Sequence, residues 1–459
     1  MFETFLFLTF LVCVGGVLWG AFGFRDTLHP LVYLMPMAGF IYVYIPLQLR
    51  LQGGLKQYFT PEEIVYAQGI YFASLLGLLA GCMYGSKWLQ RDSGRIDVFS
   101  AAMTPKLRQL FFRMGIAFGI IGFLAYAFTL YNVGGFVEAY SRVKGGGWAG
   151  SGYIRDLDYM LVPAIIFVYL SRADRPIRLQ DWIFVGVFSF PFAARGLLTA
   201  RRGPTFLFFA VVIGGWYLTR RRRPSLPTLA AGGGFIGLLL LTLVTFRGQI
   251  YLGSSFLSGE APPVEEIIGS SLEWTTTPTL HNEYLYGTYV IMNAREEEKH
   301  YYGRRYLTQM FVRPIPRSIW PNKYEDVGME AITENGGVLF TNNPFEEHPR
   351  VSNGAATGVV ASAFVEWGGW GAPVFLFVIG WVYALAWRKS LVVGGVWTVL
   401  YAVLLGMSAY CIAQNFYAIF YRLLLMGIPP AALWYLFRPR REGERIKAMR
   451  NKAASHALP

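Results

Sequence analysis

Long apolar runs are the feature of this sequence that most restricts its fold. Runs of about 17 to 25 residues recur along the chain, and a helix that rises 1.5 Å per residue needs about 20 residues to cross a bilayer. Hydrophobic residues make up 54% of the chain and charged residues 15%, which would leave a water-soluble domain with large apolar surfaces. The sequence therefore predicts an all-α polytopic membrane protein.

Basic connections follow every second apolar run and set the expected orientation. Connections rich in Lys and Arg stay in the cytoplasm. This alternation places the amino terminus on the outer side and the carboxyl terminus in the cytoplasm. It predicts about eleven transmembrane helices, near 5–24, 28–48, 64–86, 109–131, 157–171, 182–198, 203–219, 227–246, 367–387, 391–412 and 417–437.

Four regions follow from these spans. Helices 1–8 occupy residues 1–246, a large outer loop region occupies 247–366, helices 9–11 occupy 367–437, and a basic cytoplasmic tail occupies 438–459. Between Arg247 and Asn353, nine Lys or Arg face fourteen Asp or Glu, a net charge of −5. Aromatic residues throughout this stretch argue against disorder, so we expect a folded external cap.

The formal net charge of +13 does not indicate nucleic-acid binding. The basic residues are dispersed at the ends of spans, where topology and contact with membrane lipids account for them. Cys13, Cys82 and Cys411 each fall inside a predicted span. They are interpreted as apolar packing residues, because neither a disulfide framework nor a thiolate metal site is indicated.

Several arginines lie on the outer side, against the positive-inside bias. Arg195, Arg201 and Arg202 share a very short outer connection, and Arg247 closes the eighth span. A cation at membrane depth costs about 2.5–3.5 kcal/mol on insertion scales, so such residues indicate a function. A guanidinium matches phosphate oxygens bidentately, which predicts an anion site. The alternative is that they reach lipid headgroups or pair with carboxylates such as Glu138.

A reaction at the outer face would need a proton acceptor. His348 and His281 lie in the outer segment, and His is the commonest general base. Glu366 lies where the chain re-enters the membrane, so it is a second candidate base, an anchor for an arginine, or an outward carboxylate that only caps the span. Asp156 and Asp158 form a D-x-D pattern typical of metal-bound nucleotide-sugar donors, which we discount because it is expected to face away from the cytoplasm.

Three short signatures lie between residues 315 and 371. They are Ile315-Pro316-Arg317-Ser318-Ile319-Trp320-Pro321-Asn322-Lys323, Asn353-Gly354-Ala355-Ala356-Thr357-Gly358 and Glu366-Trp367-Gly368-Gly369-Trp370-Gly371. The chain also has short basic inner connections, an Arg-Gly pair in an outer connection near mid-chain, and a large outer loop before the last spans. In these signatures and in this plan the chain resembles bacterial O-antigen polymerases, the oligosaccharide repeat-unit polymerases.

The resemblance implies a metal-independent glycosyltransferase of the GT-C type in the bacterial inner (cytoplasmic) membrane, with a periplasmic loop capping an outward-facing cavity. Its donor and acceptor would be undecaprenyl-diphosphate-linked oligosaccharides, polymerised into O-antigen or a related surface polysaccharide. It implies no cofactor and no metal, and a chain-length-regulating co-polymerase is a further candidate partner. Candidate catalytic residues are His348 and Glu366. Candidate ligands of the substrate diphosphate are Arg195, Arg201, Arg202, Arg247, Arg313, Arg317 and Arg350.

Two other functions remain open. An O-antigen ligase would use a lipid A core acceptor in place of a second repeat unit. A lipid-linked oligosaccharide flippase or other transporter would also be polytopic and basic, but such folds usually contain internal repeats and hold substrate near the bilayer midplane. We find no repeat in this sequence, and its unusual charges cluster at one face.

Overall fold

Backbone N–H and C=O groups in hydrocarbon must bond within the chain, so apolar segments of this length fold as helices. A computed structural model describes residues 1–87, 104–141, 154–220, 223–245, 282–317, 319–329 and 356–437. All regular secondary structure in these ranges is helical. The expected all-α class is therefore confirmed for the described part of the chain.

The described helices follow the predicted spans closely, with differences of a few residues at most ends. A 3₁₀ turn, Ile154–Met160, precedes α6. In chain order the helices are α1 (Phe2–Gly23), α2 (Pro30–Leu51), α3 (Pro61–Ser86), α4 (Pro105–Val133), α5 (Phe136–Ser141), α6 (Leu161–Ser171), α7 (Leu179–Leu198), α8 (202–219), α9 (Leu226–Thr245), α10 (Glu283–Glu296), α11 (304–312), α12 (Gly358–Val392), α13 (Val396–Gly406), α14 (Ser408–Ala413) and α15 (Phe416–Phe437).

Seven of these helices are long and apolar enough to cross a membrane, namely α1, α2, α3, α4, α7, α12 and α15. The chain is thus a multi-pass membrane protein. The described segments α6, α8 and α13 also match predicted spans but are shorter or less apolar than this criterion requires, and α9 matches the span predicted near 227–246. The total of eleven spans, the GT-C arrangement and the inside-outside orientation stay predictions.

The chain divides into two compact units. Unit 1 contains Met1–Tyr84, Leu272–Ala384 and Ser408–Tyr421. Unit 2 contains Gly85–Ser271, Leu385–Met407 and Arg422–Pro459.

Small residues allow α3 and α12 to pack closely in unit 1. A Cβ added at Gly77 or Gly81 would overlap the carbonyl oxygen of Pro373 or Phe377, and one at Gly380 would overlap that of Leu78. Gly77 and Gly81 are four residues apart, the small-xxx-small spacing that brings membrane helices together. Van der Waals contact between backbones therefore joins these two helices.

Two parts of the expected outer loop region are helices buried within unit 1. In α10, every residue from Glu283 to Met292 is buried, and Tyr284 donates a hydrogen bond of 3.0 Å to the amide oxygen of Gln68 in α3. The helix α12 begins at Gly358, nine residues before the expected start at Trp367, and residues 359–366 are buried on all sides. The sequence does not reveal α10, because its composition is too polar for a span and it has no apolar stripe.

A kink at Gly368 divides α12. Gly368 adopts φ 73° and ψ −171°, a conformation that strains any other residue, and its missing side chain leaves room for the His300 ring. The kink interrupts the helical hydrogen bonds, so carbonyl groups before it need other donors. The amides of Tyr301 and Tyr302 donate to the carbonyl oxygens of Val365 (3.1 Å) and Glu366 (2.9 Å). Residues 301 and 302, in the segment expected on the outer side, thus complete the end of the first part of α12.

In unit 2, α4 packs along α6 and the 3₁₀ turn that precedes it. Ion pairs join the connection after α6 to neighbouring helices. Arg108 at the start of α4 binds Asp174, and the Arg172 Nε donates to the Asp181 carboxylate at 2.9 Å. This connection is expected on the cytoplasmic side. The two ion pairs neutralise part of the basic charge in and around it.

Candidate functional site

Arg195 is held by a buried ion pair in unit 2. Its guanidinium binds the carboxylate of Asp158, and the two residues are 9% and 0% exposed. Arg195 lies near the carboxyl end of α7, whereas Asp158 precedes α6. The predicted topology places both of these ends on the outer side, and the structure brings them together.

Two further arginines surround this pair. Arg422, in α15, lies 4.0 Å from the Asp156 carboxylate, and Arg155 is within electrostatic range of Arg195, Asp156 and Arg422. This group, here called the unit 2 arginine cluster, comprises Arg155, Arg195 and Arg422 with Asp156 and Asp158. Its formal charge is +1. Sequence reasoning missed Arg155 and Arg422, because only tertiary contacts bring them to Arg195.

Tyrosines form the sides of the unit 2 arginine cluster. Arg195 lies 5.6 Å from the ring centre of Tyr126, whose hydroxyl is 2.8 Å from that of Tyr140. Arg422 lies 5.0 Å from the ring centre of Tyr159. Aromatic faces stabilise guanidinium groups. The cluster therefore combines cations with the apolar surface of tyrosine rings.

Arg201 lies in the tight connection between α7 and α8, and Arg202 is the first residue of α8. Ala200 has a positive φ of 49°, and the Arg201 amide donates to the Gly196 carbonyl at 2.9 Å. Arg201 is half-buried and Arg202 is exposed. Of the predicted arginines in this connection, Arg202 is therefore the most accessible to a ligand.

The D-x-D residues serve as partners of arginines. Asp158 is paired with Arg195 and Asp156 faces Arg422. Among the described residues, no group of three His, Cys, Asp or Glu side chains is arranged to hold a metal ion. The carboxylates of this motif thus neutralise part of the arginine charge.

Glu366 is enclosed in unit 1. Its carboxylate is bound by the Arg305 Nε and accepts a hydrogen bond of 2.9 Å from the Gly303 amide. Arg305 also donates to the Ser362 carbonyl at 3.1 Å, and both charged residues are at most 1% exposed. Of the roles considered for Glu366, this geometry favours that of an anchor for an arginine. Arg305 was not among the sequence candidates.

A second cationic group lies in unit 1, in the part of the chain that is expected on the outer side. It comprises Arg313, Arg317 and Lys323. The Lys323 ammonium donates to the carbonyl oxygens of Val312 (3.2 Å), Arg313 (2.9 Å) and Ile315 (2.5 Å). Burial lowers the pKa of Lys323, and nearby Arg317 and Arg313 lower it further. Because it binds three carbonyl groups of one turn, Lys323 fixes the chain that carries both of these predicted arginines.

The two arginines of this group differ in exposure. Arg313 is half-buried, donates to the Gln309 side chain at 3.1 Å and lies 5.4 Å from the ring centre of Tyr421. Arg317 is exposed, 5.9 Å from the ring centre of Tyr324. Lys323 is the last residue of the first sequence signature, and no role was predicted for it. Its hydrogen bonds show that it holds this turn in place.

Other predicted residues lie outside the described part of the chain, namely Arg247, His281, His348 and Arg350. A histidine that sequence reasoning passed over, His300, is described. Its ring meets Phe364 edge-on at 5.8 Å, and its Nδ1 is buried with no hydrogen-bond partner among the described residues. The chain has only five histidines, so considering each of them as a candidate base would have identified His300.

Comparison with protein-family models, with curated proteins and with solved structures finds no match to this chain.

Proposed function

We propose that this protein is a membrane glycosyltransferase that polymerises undecaprenyl-diphosphate-linked oligosaccharide repeat units into a surface polysaccharide, O-antigen or a related glycan. The reaction takes place at the periplasmic face of the bacterial inner membrane and uses no metal. The growing chain on one lipid diphosphate is the donor, and the next lipid-linked repeat unit is the acceptor.

The bond changes define what the protein must supply. A hydroxyl of the acceptor attacks C1 of the donor's reducing-end sugar, the C1–O bond to the diphosphate breaks, and a glycosidic bond forms. The acceptor proton passes to a base, and negative charge accumulates on the departing lipid diphosphate. Preorganised cations stabilise such a leaving group, and binding both lipids in line lowers the entropic part of the barrier.

The unit 2 arginine cluster is the observation that carries this proposal. Its three guanidiniums outnumber its two carboxylates, and the helix ends that form it are those expected on the outer side. Arg202, exposed in the adjacent connection, adds a cation that a diphosphate can reach. In unit 1, Arg313 and Arg317 support the proposal as a separate basic group on the outer segment.

The acceptor hydroxyl needs a proton acceptor. His348 remains the first candidate. Glu366 is a weaker one, because its oxygens already accept hydrogen bonds from Arg305 and Gly303. A lipid diphosphate is a good leaving group, so the alternative is that the reaction needs little help from any base.

A gene deletion tests the function in cells. We expect the deletion strain to retain single repeat units attached at the surface and to lose all longer chains. Loss of every attached glycan would instead indicate a ligase or a flippase, and an unchanged profile would contradict all three functions.

A reconstituted reaction tests the chemistry. Purified protein with synthetic lipid-linked repeat units should form chains and release undecaprenyl diphosphate in the presence of a chelator. His348→Ala should then lower turnover by about 10²–10⁴-fold with little effect on donor binding, if His348 is the base. A rate within a few fold of wild type would exclude His348 and leave positioning and the arginines as the mechanism.

A further inference from the structure

The stretch from Lys299 to Tyr324 has an unusual charge for its surroundings. It contains six Lys or Arg and no Asp or Glu, although the outer segment as a whole carries a net charge of −5. It also contains tyrosine, phenylalanine, tryptophan and isoleucine between the cations. A basic segment with interspersed apolar residues is typical of a membrane surface.

The helix in this stretch, α11, has two different faces. Arg305, Tyr306 and Gln309 are buried against the rest of unit 1. Leu307 and Phe311 lie on the opposite side and are 55% and 60% exposed. Large apolar side chains exposed to this extent on a short helix are stabilised when an apolar medium covers them.

The buried face of α11 shows where the helix lies. Tyr306 contacts Phe375 in α12 and Phe420 in α15, with ring centres 5.9 and 5.6 Å apart. Arg313, just after α11, lies over the Tyr421 ring. Phe420 and Tyr421 lie in the second turn of α15, which begins at Phe416 and is apolar enough to cross a membrane. The helix α11 is therefore at the level where this membrane span starts.

Other exposed apolar side chains lie nearby in the same unit. Ile319 is 75% exposed, and Trp370, two residues after the kink that the outer segment completes, is 91% exposed. Trp is enriched at membrane–water interfaces, where its ring sits at the headgroup level. These residues extend the exposed apolar character beyond α11.

We propose that residues 299–317 and 319–324 form an interfacial element that lies on the bilayer surface and binds anionic lipid headgroups. Leu307 and Phe311 enter the boundary between headgroups and acyl chains. The exposed cations, Arg304 and Arg317 among them, contact headgroup phosphates. The partner is the lipid surface itself, and the inference does not depend on the proposed glycosyl transfer.

Spin labels in lipid nanodiscs test the placement. Single labels at Leu307→Cys and Phe311→Cys should collide more often with oxygen, which partitions into lipid, than with a water-soluble nickel chelate. Their ratio should fall between those of two reference sites, Leu124→Cys, an exposed side chain within the span α4, and Glu325→Cys, an exposed acidic position. The three native cysteines are buried, and each variant's size-exclusion profile checks its folding.

Two results would overturn the placement. Labels that behave like Glu325 would show that α11 lies in water. Labels shielded from both reagents would show that protein covers this face.

The lipid charge is tested with the same labels. The oxygen preference should be larger in phosphatidylglycerol nanodiscs than in phosphatidylcholine nanodiscs, and Arg304→Gln with Arg317→Gln should remove the difference. If the labels give equal ratios in the two lipids while Arg304 and Arg317 are present, the binding of anionic headgroups is contradicted.

Discussion

At the residue scale, Glu366 and Arg305 form a buried pair whose oxygens and hydrogens are bonded to each other and to the neighbouring backbone. A buried charge that loses its partner is strongly destabilising, whereas replacing both charges by apolar residues is often neutral. The main role of this pair is thus to hold residues 301–305 on the first part of α12.

We predict that Glu366→Gln lowers stability by about 3–5 kcal/mol, the usual cost of breaking a buried pair. The double variant Arg305→Met/Glu366→Leu should be more stable than Glu366→Gln alone. Thermal unfolding in detergent, followed by size-exclusion fluorescence, measures both. An unchanged melting temperature together with lost activity in Glu366→Gln would support a catalytic base instead of an anchor.

Arg202 is an exposed cation beside the unit 2 arginine cluster, so its replacement tests diphosphate binding at a position that a ligand can reach. We expect Arg202→Ala to abolish polymer at normal protein abundance, and Arg202→Lys to restore only part of it, because Lys keeps the charge but loses the planar fork. Polymer length on a glycan gel and protein level on a blot are the measurements.

A matched control is Arg175→Ala, which removes an exposed arginine from a connection expected on the cytoplasmic side. It should leave polymer unchanged. Arg195→Ala should behave differently from both, with lower abundance, because it leaves the buried Asp158 carboxylate unpaired. Full polymer in Arg202→Ala would remove Arg202 from the proposed clamp.

At the scale of elements, the packing of α3 against α12 depends on missing side chains. A Cβ at Gly81 would overlap the Phe377 carbonyl oxygen, which is backbone and cannot rotate away. Close approach of this kind is how helices associate in lipid, where the hydrophobic effect does not drive them together.

We predict that Gly81→Ala destabilises unit 1 by about 1–3 kcal/mol, the range for overpacked cores. The same substitution at Gly232 in α9, where an added Cβ meets nothing within 4 Å, should be neutral or stabilising by up to about 1 kcal/mol. The melting temperatures of Gly81→Ala and Gly232→Ala in detergent, each compared with the wild type, test this prediction. Equal effects at the two positions would mean that α3 and α12 do not pack as described.

At the scale of the whole molecule, the central prediction is orientation in the membrane. Basic connections predict that Arg175 faces the cytoplasm and that the outer segment faces the periplasm. The proposed reaction needs this orientation, because the arginines and the outer segment must meet lipid-linked substrates at one face.

A membrane-impermeant maleimide tests it in spheroplasts. We expect Glu325→Cys to be labelled in intact spheroplasts and Arg175→Cys only after permeabilisation, since both positions are exposed in the fold. The buried native cysteines give the background. The reverse pattern would overturn the topology and the proposed function together.

The sequence by itself determined the membrane class and the approximate positions of the long apolar helices. Both depend on local properties, the length and hydropathy of each run, and these do not require knowledge of distant residues. It also located the arginines of the short outer connection and the Gly-rich signature at residues 366–371. The described helices match the predicted spans for this reason.

Tertiary structure alone decided what the polar residues contact. Arg305 and Glu366 are 61 residues apart in sequence, and the partners of Asp156 and Asp158 come from other helices. It also decided that α10 and the start of α12 are buried, which their sequence conceals because buried polar residues such as Tyr284 bond to partners on another helix. An ion pair or a buried hydrogen bond depends on which helices meet, and no local pattern specifies that.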